Sequence, residues 1–224
     1  MTDYRHEWKH VITPAHRQVL RQRLQAVAKA DLHTANGRYH IRSLYFDDLN
    51  DTALREKLDG VSRREKFRLR CYNLNFDLIH LEKKSRISGL GRKERCTVTP
   101  QEVRAILAGE IQWMAADSRP PVRELYVKMR TQGLRPKTIV DYTREPFVFA
   151  PGNVRVTLDY DIRTGLQSTG FLDPHCPTVP VKDDPIILEV KWDAFLPDII
   201  RDAVQLDGVR TSAFSKYAAC RMYD

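Results

Sequence analysis

Apolar residues recur along this chain with two different periods, and the two hardly overlap. Alternation of apolar and polar side chains, the period of a half-buried strand, runs through Arg5–Ile12, Tyr39–Asp47, Arg63–Tyr72, Asp77–Arg86, Arg92–Val98, Thr138–Glu145, Val154–Arg163 and Ile186–Trp192. Helical spacing governs other segments. Thr13-Pro14, a capping hydroxyl followed by proline, opens a helix carrying Val19, Leu20, Leu24 and Val27 on one face. Asp51 to Leu58 predicts a short helix stopped by Gly60, and Thr99-Pro-Gln-Glu102 is a capping box ahead of Val103, Ile106 and Leu107, with Gly109 as the stop. Pro121 to Arg130, the residues after Pro197 and those from Phe214 predict three more. Most strands follow one another directly across short turns such as Asn73-Leu-Asn and Ser88-Gly-Leu-Gly91, which predicts a largely antiparallel sheet. The expectation is an α+β protein whose eight or so strands can close as an antiparallel β-barrel, with helices packed outside.

The polar half of the alternation carries the chemical information. On the strand beginning at Arg63, Arg64, Lys66, Arg68 and Arg70 share one face, while Phe67, Leu69 and Cys71 share the other. Glu82, Lys84 and Arg86 form a second such row, and Lys93 with Arg95 a third. Glu7 with Lys9, Tyr142 with Arg144, Arg155 with Thr157 and Asp159, and Glu189 with Lys191 repeat the theme. In a single strand this pattern describes a solvated sheet face. Repeated across seven strands, mostly with Lys and Arg, it does not: like charges side by side on neighbouring strands destabilise a sheet unless an anion lies between them. Helices must also cover the apolar face, which turns the basic face inward. A lining of this kind suits a polyanion such as a chain of phosphates.

Composition narrows the picture. The chain has 224 residues, 42% of them hydrophobic, enough for a core, and Lys plus Arg at 37 against Asp plus Glu at 29 leaves +8. That surplus favours anionic partners. No apolar run approaches the roughly 18 residues of a membrane helix, and the first ten residues lack the apolar core of a signal peptide. Cys71, Cys96, Cys176 and Cys220 are scattered, with no zinc spacing, so reduced thiols in a cytoplasm are expected. No long linker or repeat divides the chain, and residues 1–224 are expected to form one domain.

The same residues resemble the catalytic domain of the vacuolar transporter chaperone (VTC) polyphosphate polymerases, within the triphosphate tunnel metalloenzymes of the CYTH-like superfamily. Nine pieces stand in family order: Glu7-Trp-Lys9, Tyr45-Phe-Asp-Asp48, Lys66-Phe-Arg68-Leu-Arg70, Leu81-Glu-Lys-Lys84, Lys93-Glu-Arg95, Tyr142-Thr-Arg-Glu145, Arg155-Val-Thr-Leu-Asp-Tyr-Asp161, Leu188-Glu-Val-Lys191 and Ser215-Lys-Tyr217. The resemblance implies a tunnel of antiparallel strands that moves the γ-phosphoryl group of ATP onto a polyphosphate chain, with Mn2+ or Mg2+ as cofactor. It implies that Arg68, Arg70, Lys84, Arg144, Arg155 and Lys191 act on the transferred group. Lys9, Lys93, Tyr142, Ser215 and Lys216 would bind substrate and Glu189 would hold the metal. The alternation adds Lys66 and Arg95 to the binding set. ATP, triphosphate and polyphosphate are the partners implied, and protein partners are left open.

Two departures bear on the branch. The hydrolytic members begin Glu-x-Glu-x-Lys, whereas this chain reads Arg5-His-Glu7-Trp-Lys9, with one of the two glutamates. That favours the polymerase, since a hydrolase must activate water while the end of a phosphate chain is already ionised. The regulatory domain and membrane helices of the eukaryotic polymerases have no counterpart in the sequence. An inorganic, nucleoside or RNA 5′-triphosphatase and a non-catalytic polyphosphate binder are the alternatives. Nucleic-acid binding is disfavoured, because stacking needs aromatics on the basic face and Phe67 lies opposite it. Glu7 and Glu82 are expected to be partners of the basic residues, Tyr45-Phe-Asp-Asp48 a strand end and helix cap, and His10, His33, His40 and His175 surface or hydrogen-bonded residues.

Overall fold

A computed structural model describes residues 5–31, 34, 36–87 and 90–223; His33 and the Ser88-Gly89 half of the expected turn lie outside them. In chain order the elements are β1 (His6–Ile12), α1 (Pro14–Val27), β2 (Lys29–Ala30), β3 (Tyr39–Asp47), α2 (Thr52–Leu58), β4 (Arg63–Tyr72), β5 (Asn75–Ile87), β6 (Leu90–Val98), α3 (Pro100–Ala108), α4 (Pro120–Gln132), β7 (Arg135–Phe149), β8 (Val154–Thr164), β9 (Val179–Pro180), β10 (Ile186–Trp192), α5 (Asp198–Val204) and α6 (Lys216–Cys220). The chain divides into two compact units.

The first unit comprises Met1–His40, Tyr142–Ile162 and Pro180–Ser215. Its strands run in the order β1-β10-β8-β7, and both β1 and β8 pair antiparallel with β10. Ile186, Leu188, Val190 and Trp192 of β10 alternate onto one face with Val154, Val156 and Leu158 of β8. There they meet Leu20 and Leu24 of α1 and Ile200, Ala203 and Val204 of α5. Burying an aliphatic side chain of this kind contributes about 1.5–3 kcal/mol, so this face decides which way the strands turn. Thr13 caps α1 as expected, its hydroxyl accepting the His16 amide.

The second unit comprises Ile41–Asp141, Arg163–Val179 and Lys216–Asp224. Here the order is β7-β3-β4-β5-β6, with β3–β4, β4–β5 and β5–β6 antiparallel. Leu44, Phe67, Leu69, Ile79, Leu81 and Val98 face Val103 and Ile106 of α3 and Val122 and Leu125 of α4. The capping box of α3 forms in full, Thr99 accepting from the Glu102 amide and Glu102 from the Thr99 amide. Asp47 and Asp48 cap α2: Asp47 accepts from the amides of Ala53 and Leu54, and Asp48 from that of Thr52.

The last helix departs from the expectation twice. It begins at Lys216 rather than Phe214, and it does not lie on the apolar face with the others. Its Tyr217 stacks on Tyr45, with ring centroids 4.9 Å apart, on the polar side of β3, and donates to Asp47 at 2.6 Å. A buried phenol needs a polar partner, and that partner stands at the end of β3. No helix among the described residues is long and apolar enough to cross a membrane.

Candidate functional site

The expected site residues fall into both units, and each set is built by register. In the first unit, Lys9 of β1 stands opposite Glu189 of β10, which stands opposite Thr157 of β8. One rung along, Glu7, Lys191 and Arg155 form the same sequence of neighbours. Two-residue alternation therefore gathers Glu7, Lys9, Arg155, Thr157, Glu189 and Lys191 on the face away from the core. Lys191 reaches Glu189 at 2.5 Å and Glu7 at 3.2 Å; Lys9 reaches the same two carboxylates at 3.8 and 3.2 Å. Arg144 of β7 grips Asp159 with two N–H groups at 2.6 and 2.7 Å, lies 3.7 Å from Glu189 and covers the Tyr142 ring. Arg155 donates to Tyr39 and Asp31 at 2.6 and 3.1 Å. Burial alone would push the Glu189 carboxyl up, but Lys191, Lys9 and Arg144 hold it well below its ordinary range. Burial likewise works against the Lys9 charge, and Glu189 and Glu7 more than restore it, raising that pKa.

In the second unit the rungs cross β4, β5 and β6. Arg70 faces His80, Arg68 faces Glu82 and then Arg95, and Lys66 faces Lys84 and then Lys93. Beyond them Arg64 faces Arg86. A row of three lysines directly across three strands is repulsive in itself. Glu82, 2% exposed, is the carboxylate at the centre of the face. It takes Arg68 at 2.7 Å and Lys93 at 2.6 Å, with Arg70 at 3.9 Å. Burial would raise its pKa; Arg68, Arg70 and Lys93 drive it far below the carboxylate range. Lys93 has the opposite fate. Although it binds Glu82, burial together with the charges of Arg68 and Arg70 lowers its pKa.

Ser215 is the last residue of the first unit's final segment, and Lys216 opens α6 in the second unit. Phe67 is buried on the opposite face, as expected. His10 is half-buried and lies 3.2 Å from the Arg210 carbonyl, and His175 is exposed. Two residues escaped the sequence reading. Tyr45, read as part of a strand end, accepts Arg68 at 2.7 Å on the basic face, and His80 stands on that face opposite Arg70. The β3–β4 register that sets Tyr45 opposite Arg68 was the missing signal.

Glu189 offers hard oxygen donors, and Glu7 beside it shares the same two lysines. Among the described residues no group of three or more His, Cys, Asp or Glu could form an all-protein metal cage. Magnesium and manganese fit what is there, because such ions are held by one or two carboxylates while phosphate oxygens and waters complete the shell.

The VTC domain family profile matches residues 4–223, nearly the whole chain. The chain belongs to the VTC domain family. No curated protein matches it. Among solved structures, the candidate adenylyl cyclase HpAC1 from Hippeastrum, which has a dominant triphosphatase activity, is similar at 16% identity and a TM-score of 0.52. That alignment covers 96% of this chain and 93% of the other. A candidate adenylate cyclase from Bacillus halodurans is similar at 13% identity and a TM-score of 0.51, covering 85% of this chain and 81% of that one. These likenesses concern the fold alone: the VTC domain here shares the α+β architecture of those solved structures, an antiparallel sheet with helices on its apolar face.

Proposed function

We propose that this VTC domain is a polyphosphate polymerase that moves the γ-phosphoryl group of ATP onto the end of a phosphate chain. The bond from the β–γ bridging oxygen to the γ-phosphorus breaks and ADP leaves. A terminal oxygen of the chain forms the new bond to that phosphorus. The observation that carries the reading is the lysine rung Lys66–Lys84–Lys93 lying next to the Arg68–Glu82–Arg95 rung. Such a face is costly when bare and favourable when phosphates fill it.

Phosphoryl transfer asks little covalent chemistry of the protein; it needs phosphates held in line and the spreading charge neutralised. Arg68 and Arg70 supply forked donors for phosphate oxygens, held by Glu82, and Lys66, Lys84, Lys93 and Arg95 supply further positive charge. In the first unit Lys9, Arg144, Arg155 and Lys191 play the same part, with Tyr142 and Ser215 as further donors, and Lys216 of the second unit is a further donor there. Glu189, with Glu7 beside it, would hold a divalent ion, Mn2+ or Mg2+, whose positive charge would offset that of the phosphates when bound. Lys9, Lys191 and Arg144, which surround Glu189, would oppose a bare cation there. The attacking chain end is already ionised and needs no general base. The four cysteines, none of them in a disulfide, fit a reducing compartment such as the cytoplasm.

A triphosphatase is the second reading, favoured by the activity of HpAC1. Against it, Arg5 stands where hydrolytic relatives carry their first glutamate, and that Arg5 is ion-paired with Asp193 at 2.8 Å. Incubation of the pure protein with ATP and Mn2+, resolved on a polyphosphate gel, separates the readings. A lengthening ladder is expected; orthophosphate alone would turn the assignment to hydrolysis, and no turnover would leave a binding protein.

A further inference from the structure

Two buried phenols stack on each other in the second unit, and their surroundings differ in charge. Tyr217 donates to Asp47 and accepts from Arg221 at 2.8 Å, and burial beside that carboxylate pushes its pKa up, so it stays protonated. Tyr45, 4% exposed, has Lys66 5.4 Å from its ring centre and accepts Arg68 Nη1 at 2.7 Å. The other edge of the Arg68 guanidinium, Nε and Nη2, grips Glu82 at 2.8 and 2.7 Å. The guanidinium is thus held at both ends, by a carboxylate and by a phenol oxygen. The charged and titratable groups about Tyr45 are Lys66, Arg68 and Arg70 of β4, Glu82 of β5 beyond Arg68, Asp47 of its own strand, and Tyr217 and Arg221 from the C-terminal segment.

We infer that Tyr45 is a positioning residue of the phosphate face, holding Arg68 in place as an anionic oxygen and taking up one proton when a phosphate chain arrives. Burial would raise the phenol's pKa, but Arg68, Lys66 and Arg70 bring it down to about 7. Around neutral pH the empty face therefore carries its own removable negative charge. A polyanion laid on Arg68, Lys66 and Arg70 neutralises the cations that stabilise the phenolate, so the phenol's pKa rises again and it binds a proton from solvent. The sign follows by linkage: above the free-state value, binding consumes a proton, and affinity falls as pH rises. The inference rests on the phosphate-binding reading of this face.

The test is calorimetric titration of wild type and Tyr45→Phe with inorganic triphosphate and EDTA, at about pH 8 in buffers of different ionisation heat, where an ordinary tyrosine is neutral. Protons released by triphosphate itself cancel in the difference between the two proteins. Wild type is expected to take up close to one proton more than Tyr45→Phe. Its affinity should fall about tenfold more per pH unit above neutrality. The near-ultraviolet band of tyrosinate, present in free wild type at that pH, should fade as triphosphate is added. Equal proton uptake in the two proteins, or no tyrosinate band in free wild type, overturns the role of Tyr45 while leaving the phosphate-binding reading intact. Failure of triphosphate to bind at low salt overturns both.

Discussion

Glu82 and Glu189 are easily confused in the sequence, each a glutamate two residues before a lysine on an alternating strand. The two units treat them differently. Glu189 belongs to a shared arrangement: its lysines also hold Glu7, and Arg144 is already satisfied by Asp159. Glu82 is the central carboxylate for Arg68, Arg70 and Lys93. One region is nearly balanced within itself, while the other leans toward positive charge. A balanced carboxylate can be lent to a metal without upsetting its neighbours. A carboxylate that holds a cationic face together cannot.

The largest expected effect is therefore at Glu82. Removing one partner of a buried ion cluster costs about 3–5 kcal/mol, and Glu82→Gln should lose that much in chemical denaturation. It should also change the acid limb. The folded-state pKa of Glu82 is depressed, so its contribution is present above the ordinary carboxylate value of about 4.3 and is lost as pH falls below it. The variant's melting temperature should therefore fall less steeply with acid than that of wild type. Parallel acid limbs would mean that Glu82 is not the keystone of its face.

Glu189→Gln comes next. Glu7 and Asp159 remain to hold Lys9, Lys191 and Arg144, so the stability loss should be about 1.5–3 kcal/mol, that of hydrogen bonds to a charged group. Metal-dependent turnover should collapse, and triphosphate binding in EDTA should persist. A variant that is as unstable as Glu82→Gln, or that turns over normally with Mn2+, would invert the comparison.

The smallest effect has the less intuitive sign. Lys84 stands between Lys66 and Lys93, so Lys84→Gln relieves a like-charge rung and should stabilise the unliganded protein by about 0.2–1 kcal/mol. The same variant should bind triphosphate more weakly. Thermal melts with and without triphosphate read both quantities, and a destabilised unliganded variant would mean that the rung is not repulsive.

Much of this was legible in the sequence because it depends on local periods. The strands Tyr39–Asp47, Arg63–Tyr72 and Ile186–Trp192 have the bounds that alternation implies, and Thr99-Pro-Gln-Glu102 announces its helix through hydrogen bonds between residues three apart. What was hidden depends on partners far away in the chain. That Lys66, Lys84 and Lys93 form one rung requires the β4–β5–β6 register, which shifts irregularly between Arg70 and Tyr72. Tyr45 resembled any strand aromatic until β4 set Arg68 beside it, and Tyr217 gave no local sign that its helix would take the polar side of β3. The polar face could be read from one strand at a time; its pairings could not.

The lining of β4 has one further property, which concerns movement. Arg64, Lys66, Arg68 and Arg70 recur every second residue, about 6.6–6.8 Å apart along the strand. A pocket fits its ligand in one position, whereas a repeating row offers a repeating ligand a series of nearly equivalent positions. A chain of identical phosphates that advances by one step trades each cation for the next of the same sign. On the polymerase reading proposed above, the row would act as a track with shallow wells, gripping a polymer across its width while leaving it free to slide along its length.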